Sequence, residues 1–180
     1  MRLAIADPPY LGRARYYDGS DRPKYHGKGR MGKSADAHPN AGAWDDPATH
    51  KGLIADLAAY DGWAIAMSRD SLPLYLSCAP TARVAVWHNP AAWPPGNRIH
   101  ATWEPVLLHI PEPRRAGPPS VKDVLISVPP RRSGFIGAKP PAWTRWVLDM
   151  LGYDPETDTV DDLFGGSGAV TAEINQGVLL

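Results

Sequence analysis

Apolar residues in this chain fall in short runs, separated by polar stretches rich in proline and glycine. Leu3-Ala4-Ile5-Ala6 is continuous, which predicts a strand covered on both faces. Asp46-Pro47 reads as an N-cap followed by proline at the first helical position. Leu53, Ile54, Leu57 and Ala58 then repeat at helical spacing, and Gly62 is expected to end that helix. Trp63 to Met67 reads as a second strand. Asp70-Ser71-Leu72-Pro73 opens a second predicted helix that reaches about Cys78. Arg83 to Trp87 reads as a third strand, ending at His88-Asn89-Pro90. This rhythm predicts an α/β fold with a mostly parallel sheet and helices on its faces. Ligands of such sheets lie beyond the carboxyl ends of the strands. Asp7, Ser68 and His88 would all fall on that edge.

The second half is less regular. Thr102 to Ile110 predicts a strand, antiparallel and at a sheet edge. Glu104 is either buried beside Trp103 or sits at the strand entrance. Residues 111 to 134 are irregular and rich in Pro and Arg, with a short apolar piece at Val124-Leu125-Ile126. Arg114, Arg115, Arg131 and Arg132 there read as solvated or as phosphate contacts. Trp143, Trp146, Val147, Met150 and Leu151 share one face of a predicted helix that Gly152 stops. Thr159 to Phe164 predicts a strand, and Gly165-Gly166-Ser167-Gly168 a turn into a helix running from Ala169 to about Asn175. Gly177 to Leu180 is expected to add a short final strand.

Composition narrows the class. The chain has 180 residues, which predicts one domain over 1–180. At 43% hydrophobic and 21% charged it is not a disordered chain. Nineteen basic and 19 acidic residues cancel, so attraction to nucleic acid must come from local patches. With only Cys78, no internal disulfide is possible, which fits a reducing compartment. A signal peptide pattern and a membrane-length apolar run are both missing, so a cytoplasmic protein is expected. The six histidines and one cysteine show no metal-ligand spacing, and no metal site is expected.

One patch stands out at residues 11–47. Between Arg13 and Lys33 lie seven basic residues against Asp18 and Asp21: Arg13, Arg15, Arg22, Lys24, Lys28, Arg30 and Lys33. Tyr16, Tyr17, Tyr25 and His26 are interleaved. Two readings stand: a solvated surface loop, or an arm that contacts phosphates and stacks on bases.

Asp7-Pro8-Pro9-Tyr10 lies immediately before that patch. The two prolines end any strand ladder because neither donates an N–H. An acid, a free proline carbonyl and an aromatic ring are thereby held close together. A nucleobase amino group can donate one hydrogen bond to the Asp7 carboxylate and one to the Pro8 carbonyl, while Tyr10 stacks on the base. The alternative is a simple Pro-Pro turn. At the other end, a strand running into glycines and a helix is the pattern of a nucleotide or cofactor cradle. It has no Gly-Lys-Ser/Thr and does not fit the dinucleotide fingerprint.

Taken together, Asp7-Pro8-Pro9-Tyr10 at the front and Asp162-Leu163-Phe164-Gly165-Gly166-Ser167-Gly168 at the back resemble the S-adenosylmethionine-dependent DNA amino-methyltransferases. The motif order is similar to their circularly permuted class, and the chain also resembles short DNA methylases of actinobacterial phages. Phe135 to Pro140 resembles that class's Gly-x-Lys-Pro element. The resemblance implies a Rossmann-like methyltransferase sheet, mostly parallel with one antiparallel strand, lacking part of the usual cofactor-side half. It implies that Asp7, Pro8, Pro9 and Tyr10 form the catalytic set and receive an extruded base. Phe135, Lys139, Pro140, Asp162, Phe164, Gly165, Gly166, Ser167 and Gly168 would hold S-adenosyl-L-methionine. Arg13, Arg15, Lys24, Lys28, Arg30 and Lys33 would contact DNA. The implied activity is methylation of an exocyclic amino group in DNA, adenine N6 before cytosine N4. The other readings are a methyltransferase-like nucleic-acid-binding protein with impaired catalysis, and RNA methylation. A homodimer is a further expectation, as is the host cytoplasm for a phage-encoded protein. Three features depart from the pattern. Gly166 stands where the family commonly has proline, no acid follows Gly177 to bind the cofactor ribose, and 111–134 leaves no room for a separate target-recognition domain.

Overall fold

A computed structural model describes residues 1–17, 40–92, 98–117, 119–129, 138–165 and 168–177. Among the described residues six strands form one sheet: β1 (Arg2–Ala6), β2 (Gly62–Ala66), β3 (Arg83–His88), β4 (Trp103–His109), β5 (Val124–Ile126) and β6 (Thr159–Asp162). Their order is β5-β3-β4-β2-β1-β6. β4 runs antiparallel to both its neighbours, and the other pairings are parallel. The helices are α1 (Pro47–Leu57), α2 (Leu72–Cys78), α3 (Pro141–Leu151) and α4 (Ala169–Gly177). None of the described helices is long and apolar enough to cross a membrane.

The continuous apolar strands are explained by helices on both faces. Successive side chains of a strand point to opposite sides. Leu3, Ile5, Ala64, Ala66, Ala85, Trp87, Val106 and Leu108 pack with Trp143, Trp146, Val147, Leu148 and Leu151 of α3 and with Val170 of α4. Ala4, Ala6, Trp63, Ile65, Met67 and Leu107 point the other way, onto Leu53, Ile54 and Leu57 of α1 and Tyr75 of α2. This is a mostly parallel α/β sandwich, consistent with a Rossmann-like fold.

Helix ends follow local chemistry. The Asp46 carboxylate accepts the Ala48 N–H, with Pro47 at the start of α1. Gly152 ends α3 in the left-handed region at φ 69°, where a side chain would be strained. Gly62 does not end α1. The helix stops at Leu57, and Gly62 opens β2. A Cβ there would lie 2.6 Å from Pro111 Cδ, so the residue is glycine for close approach rather than for a cap.

The strand expected at an edge is interior. β4 lies between β2 and β3, and the edges are β5 and β6. Pro105 argues against a central strand, because it cannot donate to a ladder. It is tolerated here because the β2–β4 pairing ends with Ala66 opposite Val106. One residue further on, the Met67 N–H still donates to the Pro105 carbonyl at 3.3 Å, and no return bond is needed. The expected final strand at 178–180 lies outside the described residues.

The connectivity marks one place on the sheet. From β1 the chain leaves through α1, on one face, toward β2. It returns to the other side of β1 through α3, on the opposite face, as β6. The boundary between β1 and β6 is therefore a switch point, where neighbouring loops diverge and leave a crevice at the carboxyl ends.

Candidate active site

Asp7 is the first residue after β1, and Pro8 and Pro9 behind it are buried. The chain then turns back: the Arg13 N–H donates to the Tyr10 carbonyl at 2.8 Å, and Gly12 takes φ 74°. A positive φ two residues after Tyr10 is what a type II turn requires, and glycine adopts it without a Cβ clash. Tyr10 is thus fixed beside Asp7 by a rigid dipeptide on one side and a tight turn on the other.

Lys139 reaches this point from the segment before α3. Its ammonium lies 3.0 Å from each Asp7 carboxylate oxygen, donates to the Tyr10 hydroxyl at 3.0 Å and lies 3.3 Å from Glu104 Oε2. The Tyr10 hydroxyl in turn donates to Glu104 Oε2 at 2.6 Å. Only 7% of the Lys139 side chain is exposed, and the rings of Trp87 and Trp143 lie 5.6 and 5.9 Å from its nitrogen. Burial opposes the lysine charge, but Asp7 and Glu104 outweigh it and hold the pKa above the ordinary lysine value. Burial pushes the Asp7 pKa up, Lys139 pulls it back, and the negative charges of Glu104 and Asp162 push it up again. The Tyr10 hydroxyl is pushed well up by burial, then by Glu104 and Asp7, so it remains a donor.

An open cleft of about 380 Å³ adjoins this cluster. Tyr10, Arg13, Tyr17, Ser68, Asn89 and Glu104 are among its lining residues, and Trp103 and Arg69 stand at its wall. Trp103 is 38% exposed, high for a large aromatic residue. The cleft has the mixed aromatic and polar lining that a nucleobase with an attached phosphate needs.

The glycine turn lies across the switch point. Parallel pairing sets Ile5 opposite Asp162, and the Leu163 N–H donates to the Ile5 carbonyl at 3.0 Å. Asp162 Oδ1 accepts the Phe164 N–H at 3.2 Å. Burial raises the Asp162 pKa. The Gly168 N–H closes the turn onto the Gly165 carbonyl at 2.9 Å, and Gly168 has φ 70° with open space where a Cβ would stand. A half-buried carboxylate beside bare backbone at a helix start suits a ligand with a cationic or hydroxyl group. S-adenosylmethionine carries both, so the residues present fit it.

The sequence-predicted site residues therefore sort as follows. Asp7, Pro8 and Pro9 follow β1, and Asp162, Phe164, Gly165 and Gly168 end or follow its neighbour β6, while Tyr10 and Lys139 meet Asp7 from the side of β4, where both contact Glu104, with Pro140 next to Lys139 in the chain. Lys139 binds the Asp7 carboxylate itself rather than only flanking a cofactor. Phe164 packs edge-on against Trp44, at 5.0 Å between ring centres. Phe135, Gly166, Ser167, Lys24, Lys28, Arg30 and Lys33 lie outside the described residues. Arg13 lines the cleft and Arg15 is exposed next to it. The Ala14 N–H donates to the Asp45 carboxylate at 3.1 Å. Ser68 lines the cleft, but the described contacts of His88 are those of a strand residue, its carbonyl accepting the Ser127 N–H at 3.1 Å. Arg114 is not a phosphate contact. It binds the buried Asp158 carboxylate and the Gly152 carbonyl.

Glu104 and Trp103 line the cleft without having been assigned to the site from sequence, whereas Tyr17 was among the aromatic residues of the basic patch. The available signal was an acid beside an exposed tryptophan at the mouth of an apolar strand. No family model matches this chain, and no curated protein matches it.

Proposed function

We propose that the protein methylates the exocyclic amino group of a base in DNA, adenine N6 first, using S-adenosylmethionine. One observation carries the reading. Two motifs 155 residues apart in the chain are brought to neighbouring strand ends by the parallel pairing of Ile5 with Asp162. On this reading, the acceptor for the amino group and the cradle for the cofactor stand at adjacent strand ends. The permuted order of the family is supported by the topology: the Asp-Pro-Pro-Tyr strand comes first in sequence yet lies beside the last strand, with a single antiparallel strand at β4.

The chemistry asked of the residues is modest. The cofactor would supply an electrophilic methyl group on a sulfonium; the base nitrogen would gain the N–C bond as the C–S bond breaks, the thioether would leave with that electron pair, and the nitrogen would then give up one amino proton to Asp7 or solvent. Asp7 and the Pro8 carbonyl accept the two amino hydrogens, which aims the nitrogen lone pair and stabilises the positive charge that develops on it. Tyr10 and the cleft hold the extruded base. Asp162 and the turn at Gly165 and Gly168 hold the second substrate in line, so most of the rate gain is positional.

The test is direct. Wild-type protein incubated with labelled S-adenosylmethionine and duplex DNA is expected to transfer label to N6-methyladenine. Asp7→Ala is expected to lose at least a hundredfold in turnover, the size of effect produced by removing one preorganised polar contact in a transition state. Label on no base, or an unimpaired Asp7→Ala variant, rejects the proposal. Label on N4-methylcytosine or on RNA would keep the reaction and reassign the substrate.

A further inference from the structure

The best-built polar cluster in the described residues is the one around Lys139, and the proposed reaction as written gives Lys139 and Glu104 no part. A lysine 8% exposed is rarely retained without paired charge. Here the ammonium lies at hydrogen-bond or ion-pair distance from three residues on separate segments: Asp7 after β1, Tyr10 in the following turn and Glu104 in β4.

We propose, resting on the methyltransferase reading, that Lys139 is a positioning residue for the reaction. Anchored by Glu104, it holds the Asp7 carboxylate charged and turned toward the base, and it holds the Tyr10 ring at the cleft wall. The geometry permits this without blocking the substrate. The ammonium bridges both Asp7 oxygens at 3.0 Å, and each carboxylate oxygen keeps a second lone pair for an incoming amino hydrogen.

Without that cation, Asp7 would face two negative charges, Glu104 and Asp162, in a partly buried site. A protonated Asp7 donates at one oxygen and competes with the amino group it should accept from. The other groups that bear on Asp7 are Tyr10 and Tyr17 from the loop after β1 and Tyr75 from α2, whose hydroxyls burial keeps protonated. Arg13 acts on Tyr17 from the loop as well. Lys139 contacts the Asp7 carboxylate directly. Glu104 serves a second purpose, since it accepts the hydrogen bond of the Tyr10 hydroxyl and fixes which way that ring faces.

The test compares Lys139→Met, Lys139→Arg and Glu104→Gln in full-length protein. Two readouts are followed: turnover against pH, and the Asp7 carboxyl titration by carbon-13 NMR. Lys139→Met is expected to raise the Asp7 midpoint by at least one pH unit and to move the acid limb of turnover by the same amount. Its turnover at neutral pH falls about tenfold or more and recovers in part as the pH rises. Lys139→Arg keeps the charge and is expected to restore most of the profile. Glu104→Gln is expected to lower turnover severalfold with the cofactor Kd unchanged. A Lys139→Met protein with an unmoved Asp7 midpoint overturns the proposal. So does a moved midpoint with an unmoved acid limb. If wild type transfers no methyl group at all, the proposed function fails, while the NMR titration still decides whether Lys139 sets the state of Asp7.

Discussion

Asp158 shows how a single side chain can hold several segments. Its carboxylate is fully covered and takes bonds from Arg114, from the Met1 amino group at 2.7 Å and from the Asp154 N–H at 2.9 Å. Burial alone would push its pKa up, but the Arg114 and amino-terminal hydrogen bonds outweigh that and hold it well below the ordinary aspartate range. A carboxyl group whose folded pKa is depressed adds stability that is complete above its unfolded value and is lost as the pH falls through the folded one. Arg114→Met removes one partner and leaves the charge covered. The expected cost is about 3 kcal/mol in urea unfolding at neutral pH, the usual size for breaking a buried pair. The acid side of the stability profile should flatten as well. An unfolding midpoint equal to wild type would show that Arg114 is dispensable there. The sequence offered no route to this role, because an arginine in a Pro/Arg-rich stretch looks the same whether it is solvated or pairs with an aspartate 44 residues further along the chain.

At the scale of elements, sequence reading succeeded where one local rule acts alone. Asp46-Pro47 starts α1 and Gly152 stops α3 because caps depend on a few adjacent residues. It failed where the deciding contact is distant. Gly62 has the look of a helix stop, yet its lack of a side chain answers to Pro111, which sits over β2. The two readings predict different costs. A glycine merely following a helix tolerates alanine with a few tenths of a kcal/mol. A glycine whose Cβ would meet Pro111 Cδ at 2.6 Å and Cγ at 2.7 Å forces a shift of the ring or of the strand. Gly62→Ala is therefore expected to destabilise by about 1–3 kcal/mol, the range for overpacking, measured by the denaturation midpoint at constant m-value. β4 was misplaced for a related reason. Pro105 and a run of mixed polarity suggest an edge, and only the end of the β2 ladder at Ala66 shows why proline is acceptable inside. Glu104 stayed ambiguous because its partners, Tyr10 and Lys139, are distant in sequence on either side.

For the whole molecule, the consequential feature is that the sheet reverses its winding beside β1. The Asp-Pro-Pro-Tyr and glycine-turn motifs were legible as sequences, but their adjacency was not, since it depends on β6 pairing with β1 rather than with β5, its predecessor in the chain. That adjacency makes a separable prediction. On the proposed reading the two strand ends hold different substrates, so damage to one should leave binding at the other intact. Asp162→Ala removes a charge-assisted acceptor, worth about 1.5–3 kcal/mol, which corresponds to a cofactor Kd raised about tenfold to a hundredfold. Its DNA binding in a gel shift should match wild type. Asp7→Ala should do the reverse: cofactor binding by calorimetry stays within about twofold, while methyl transfer is lost. Both proteins should unfold cooperatively, because neither carboxylate belongs to the two apolar layers that α1, α2, α3 and α4 clamp onto the sheet. If Asp162→Ala leaves the cofactor Kd unchanged, the glycine turn is not the cradle. If each substitution weakens both ligands equally, the edge is one pocket for a single ligand, and a two-substrate transfer is the wrong class of reaction for this crevice.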